Sequence, residues 1–85
     1  MTGASASTVR VLLFARLRRE AGWTESTMDI QPGSTVSELV LRLGRSTPML
    51  DLRGCMCAID ERYAAPDETL HGGETVAFLP PVSGG

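Results

Sequence analysis

An α+β fold, with one main helix packed on one face of a sheet, follows from three observations on this 85-residue chain. Two strongly apolar, alternating segments stand near its ends, "VRVLLFA" and "TVAFL". One amphipathic helical pattern, "STVSELVLRLGRSTP", lies between them. Shorter strand-like segments flank that helix, so the order reads strand, strand, helix, strand, strand. The length allows one domain and no second. A chain of this size buries somewhat over ~60% of the surface its unfolded form exposes, enough for one modest core without cross-links.

Each element has its own local reason. Residues 1–8 are small and polar and are expected to be a flexible lead-in to a domain spanning 9–79. In "VRVLLFA", Val9, Val11 and Leu13 point to one face and Leu12 and Phe14 to the other. "RLRREAG" reads as a short helical turn closed by Gly22. "TESTMDI" is a second strand with Met28 and Ile30 inward, followed by a turn at Gln31-Pro32-Gly33. Thr35 is the expected N-cap of the main helix, and Glu38 three residues on completes a capping box. Val36, Leu39, Val40 and Leu43 then form one apolar stripe, and Gly44, Arg45 and Pro48 are the expected stop. "CMCAID" is a third strand in which Cys55, Cys57 and Ile59 share a face. Leu70 is the expected anchor of a single helical turn inside "APDETLHGGE". In the last strand Val76 and Phe78 face one way, Ala77 and Leu79 the other. With the helix on one face, the opposite face keeps Leu12, Phe14, Ala77 and Leu79 exposed, an apolar patch of the kind that marks a partner site.

Composition excludes several function classes. At 42% hydrophobic and 21% charged residues the chain lies outside the disordered regime. A net charge of −2 with no basic stripe argues against nucleic acid. All eight basic residues are arginine, so no side-chain amine serves for Schiff-base chemistry or for building isopeptide chains. Cys55 and Cys57 are too few and too close for a disulfide scaffold or a zinc site, and read as small buried hydrophobes. His71 has no nucleophile or carboxylate constellation around it and reads as a turn residue. Asp60 and Glu61 read as a solvated turn between strands. "MTGASASTVR" has neither a basic start nor an apolar run of signal-peptide length, and no stretch approaches a membrane span, which points to a reducing, cytoplasmic setting. No active site, cofactor site or metal site is expected in the chain itself.

The remaining feature is the ending "FLPPVSGG". Average glycine usage of ~7% yields a Gly-Gly end in only about 0.5% of chains by chance. Pro80 and Pro81 stop the strand and hold the chain extended, so residues 80–85 form a stalk reaching up to ~20 Å. Two residues without side chains can enter a narrow channel in another protein and present a carboxylate there. A carboxylate is a poor electrophile until activated, as by ATP to an acyl-adenylate open to attack by a thiol or amine. With no phosphate site here, a partner must perform the activation. This is the logic of a carrier.

"VRVLLFARLRREAG", "TVSELVLRL" and "GGETVAFLPPVSGG" resemble the small subunit of molybdopterin synthase, a family of ubiquitin-like sulfur carriers, over roughly Val9 to Gly85. The resemblance implies a β-grasp fold with a mixed sheet of four to five strands. It implies that Gly85 is adenylylated by an ATP-using enzyme of the ubiquitin-activating type, then thiocarboxylated from a sulfur donor system. Gly84 and Gly85 would thread into the large synthase subunit, where sulfur passes to cyclic pyranopterin monophosphate, in a heterotetramer using two carriers. Phe14, Leu79, Pro80, Pro81 and Val82 match docking positions, and Arg18 matches a basic position in the early turn. The family commonly has asparagine where this chain has Asp60, and aspartate where it has Gly73. A thiazole-pathway or other sulfur carrier, and a protein modifier attached through Gly85, share the same fold and tail.

Overall fold

The computed structural model describes residues 7–81. Its elements are β1 (Ser7–Leu13), α1 (Arg16–Ala21), β2 (Glu25–Ile30), α2 (Val36–Ser46), β3 (Met56–Ile59), β4 (Arg62–Tyr63) and β5 (Thr75–Leu79). The strands form one mixed sheet in the order β2-β1-β5-β3-β4. The two most apolar strands take the centre, where both of their edges are paired. They run parallel, with Val11 opposite Val76 and Leu13 opposite Phe78, while every other pairing is antiparallel.

Alternation decides what each strand buries. Val9, Val11, Leu13, Ile30, Ile59, Val76 and Phe78 face one side and join Val36, Leu39 and Leu43 of α2 in a single core. At ~1.5–3 kcal/mol for each fully buried large apolar side chain, this layer is the main source of stability. Leu17, Leu50 and Leu70, all buried, close it from the connecting segments.

Local chemistry sets the ends. The Thr35 hydroxyl accepts the Glu38 N–H at 3.3 Å and the Glu38 carboxylate accepts the Thr35 N–H at 2.8 Å, so the capping box forms as read. The helix does not stop at Gly44, however. It runs to Ser46 with Thr47 as C-cap, because Gly44 takes a helical backbone and the break is left to Pro48, which disfavours helix in the residue before it. β1 starts at Ser7, two residues ahead of Val9, since Ser7 and Thr8 pair with Ile30 and Asp29. The segment around Leu70 is extended, not a helical turn: Thr69 bridges Thr35, and Leu70 exchanges backbone hydrogen bonds with Gly33 and Ser34. Asp60 and Glu61, both at positive φ, form the tight turn of a β3–β4 hairpin whose second strand is only two residues long. Gly72 is needed as glycine, because at φ +119° a Cβ would come within 2.7 Å of the Ser7 side chain.

Replacing Thr35 by Ala removes the reciprocal cap and should lower unfolding stability by about 1 kcal/mol in urea denaturation. An unchanged midpoint would show that the tertiary contacts of α2, not its cap, set its stability.

Candidate functional site

The site is built on the face of the sheet away from α2. Register places Leu12 of β1 beside Ala77 of β5, and Ala77 beside Ala58 of β3. One step further along, Leu79 lies beside Met56. Two adjacent alanines leave a shallow depression of about 560 Å³, with Leu12 and Phe14 on one side and Asp60 and Glu61 on the other. Phe14 is 41% exposed and Met56 39%, large values for side chains of this size. The face is graded. At the start of β5 it is charged, with Arg10 paired to Glu25 at 2.9 Å and the Asp60 carboxylate accepting the Thr75 N–H at 3.0 Å. At the end of β5, where the chain leaves the sheet, it is apolar.

The residues expected to dock a partner therefore divide. Phe14 and Leu79 lie on this apolar end, and Pro80 and Pro81 carry the chain off it, Pro80 half-buried and Pro81 exposed. Arg18 is exposed on α1, and no hydrogen bond or ion pair of its side chain ties it to the face among the described residues. Val82, Gly84 and Gly85 lie outside the described residues. Sequence reasoning did not find Met56 and Ala58, because the strand "CMCAID" was read for its core side only.

Cys55 and Cys57 are free and half-buried. Burial pushes the Cys57 thiol up to about 11, with the nearby Glu68 carboxylate adding to it. Burial also raises Cys55, against the opposing pull of Arg16. Neither thiol is poised as a nucleophile near neutral pH. Among the described residues no group of three or more His, Cys, Asp and Glu is placed to hold a metal ion. His71 is exposed in a turn, where the Glu74 carboxylate accepts the N–H groups of His71 and Gly72 at 2.8 and 2.7 Å. No helix among the described residues is long and apolar enough to cross a membrane. A second apolar groove, of about 600 Å³, lies between α2 and β3 and includes Val40, Leu41, Leu52, Cys57 and Tyr63.

A mixed five-stranded sheet, one main helix across it and a proline-led exit from the central strand define a ubiquitin-like β-grasp protein. Residues 11–85 match the model of the ThiS family, and the chain belongs to that family. It is 35% identical over 81 residues to a molybdopterin synthase sulfur carrier subunit of Chlamydomonas reinhardtii, covering 91% of this chain and 98% of that one. It is 33% identical to the subunit of the same name from Arabidopsis thaliana, covering 91% and 82%. Among solved structures it superposes on SAMP1 from Haloferax volcanii with a TM-score of 0.81 at 26% identity, covering 93% of this chain and all of that one. A chain in the complex of subunits 1 and 2 of molybdopterin-converting factor from Helicobacter pylori matches at 25% identity and a TM-score of 0.62, covering 92% and 99%. The family resemblance read in the sequence is thus confirmed, together with the fold.

Alkylation tests the inertness of the thiols. At pH 8 iodoacetamide should label Cys57 far more slowly in the folded protein than in urea, with the rate climbing as pH approaches 11. Labelling at the speed of a free thiol at pH 8 would refute the burial argument.

Proposed function

We propose that this chain is the sulfur-carrier subunit of a molybdopterin synthase. The observation that carries the reading is the continuity of the apolar end of the open face with Pro80 and Pro81, the start of "PPVSGG". One surface both docks a partner and aims the terminal residues into it. The similarity to molybdopterin synthase sulfur carrier subunits of Chlamydomonas reinhardtii and Arabidopsis thaliana supports the pathway, and the two-subunit complex from Helicobacter pylori supports a second, partner subunit.

The chemistry assigned to the tail is acyl transfer. An activating enzyme joins the Gly85 carboxylate to ATP, releasing pyrophosphate and leaving an acyl-adenylate. Sulfur from a donor attacks that carbonyl, and AMP departs with one of the former carboxylate oxygens. The resulting thiocarboxylate is threaded, through Gly84 and Gly85, into the large subunit. There its sulfur bonds to a carbon of cyclic pyranopterin monophosphate, and water attacks the Gly85 carbonyl, breaking its bond to sulfur and returning Gly85 to a carboxylate. The domain contributes recognition, orientation and a sulfur-bearing end; the partners' side chains do the catalysis.

Incubation with the activating enzyme, ATP and a sulfur donor, followed by sequencing of the C-terminal peptide by mass spectrometry, should find one oxygen of Gly85 replaced by sulfur. An unmodified terminus with a demonstrably active enzyme overturns the carrier role. An amide bond from Gly85 to a lysine of another protein would instead establish a modifier. Phe14→Asp and Leu79→Asp each place a charge in the proposed interface but outside the core. Each should weaken binding to the large subunit at least tenfold, about 1.4 kcal/mol, with melting little changed. Unchanged affinity in either variant would move the interface elsewhere.

A further inference from the structure

The connection between α2 and β3 is a surface segment, yet it is braced from two sides. Leu50 anchors it in the core. At the next residue, the Asp51 N–H donates to Glu20 Oε1 at 2.9 Å and the Asp51 carbonyl accepts Arg16 Nη1 at 3.1 Å. Arg16 and Glu20 are one helical turn apart on α1 and bond each other at 2.6 Å. The backbone of Asp51 is therefore clamped at both its polar groups by a single ion pair. The Asp51 carboxylate in turn accepts the N–H and the guanidinium of Arg53, at 3.1, 2.9 and 3.0 Å, which hold it down at about 2. The Leu52 carbonyl accepts the Cys55 N–H at 3.1 Å, and Gly54 between them sits at φ +73°.

This turn ends against the exit of the chain. Pro81 Cγ lies 4.0 Å from where a Cβ on Gly54 would be, so the last described residue stands beside the turn, across the space the glycine leaves open. Two residues after Gly54 and two before Pro81, Met56 pairs with Leu79. Loops that only connect are mobile. This one is fixed through α1 at the point where the chain leaves β5.

We propose that the segment Asp51–Gly54, clamped by Arg16 and Glu20, is a guide that sets the direction in which the chain leaves β5 at Pro80 and Pro81. Arg16, Glu20 and Asp51 are positioning residues, acting through Gly54 on Pro81. The magnitude makes the guide consequential. Four residues follow Pro81, and a chain of four reaches at most ~12 Å at ~3.1 Å per residue, so a tilt of about 20° at its base shifts the limit of that reach by roughly 4 Å. Displacement of a reacting group by ~1 Å can cost ~10²-fold in rate. In its kinetic arm the inference rests on the sulfur-carrier reading.

Arg16→Ala, Glu20→Ala and the conservative Arg16→Lys would be compared, with melting measured for each. Two readouts decide. In the free protein, the nuclear Overhauser contact between Gly54 and Pro81 should weaken in the alanine variants and survive in Arg16→Lys. With carriers thiocarboxylated beforehand, single-turnover sulfur transfer at saturating large subunit should slow about tenfold or more, while the dissociation constant stays within about twofold, because the docking face is untouched. Arg16→Lys should restore the rate. An intact Gly54–Pro81 contact in both alanine variants, or a rate that falls only as binding falls, overturns the guide. Should one alanine variant fail to fold, the other decides. If the unaltered carrier transfers no sulfur, the carrier reading fails, and the guide still stands or falls on the Gly54–Pro81 contact.

Discussion

The parallel pairing of β1 with β5 is the constraint on which the rest depends. It seats Val11 against Val76 and Leu13 against Phe78 on the core side. By the same register it sets Leu12 beside Ala77 on the open side. A slip of one residue would turn Phe78 outward and bring Ala77 and Leu79 inward, losing the core and the open apolar face together. The core and the candidate site are opposite sides of one ladder, so neither can drift without the other. The two alanines, Ala58 and Ala77, show the same economy: small side chains at the middle of the open face make a recess rather than a bulge, and leave the larger Leu12 and Phe14 to wall it on one side.

Most of this was legible in the sequence because it is periodic. The twofold alternation in β1 and β5 and the helical stripe of α2 are strong local signals, and Thr35 and Glu38 announce their cap by spacing alone. What was not legible was non-local or very short. β4 has two residues, too few to alternate. Gly44 looked like a helix stop because glycine favours one, yet the packing of Leu43 and the exposure of the following turn let the helix run on to Ser46, short of Pro48. Leu70 is fixed by Gly33, Ser34 and the Thr35–Thr69 bridge, all some 35 residues away, so its extended conformation has no local signature. The candidate site divides in the same way. Phe14 and Leu79 follow from alternation, whereas the hold of Arg16 and Glu20 on Asp51 crosses from α1 to a loop and is invisible in "RLRRE", which shows only the ion pair within the helix.

Two apolar surfaces, one on each layer, give the domain an uneven exterior. The open face of the sheet joins the exit of the chain. The groove beside α2, with Leu41 and Tyr63 largely exposed, lies in the other layer. Between them some of the charged residues form short local pairs, such as Arg53 with Asp51 and Arg62 with Glu68. Exposed pairs of this kind contribute little to stability. Their effect is to fix turns at the margins of the sheet.

The middle of the sheet is made last. β5 is bonded to β1 on one edge and to β3 on the other, yet it is the final strand to be translated. A nascent chain can form α2 as soon as that segment emerges, but its sheet stays open until residue 79 has been added, and such distant pairing is intrinsically slow. A product interrupted before Thr75 has lost its keystone, not an appendage. It exposes unpaired edges of β1 and β3 and is matter for proteases and aggregation. Only a chain translated through Leu79 can complete the sheet and present its open apolar face.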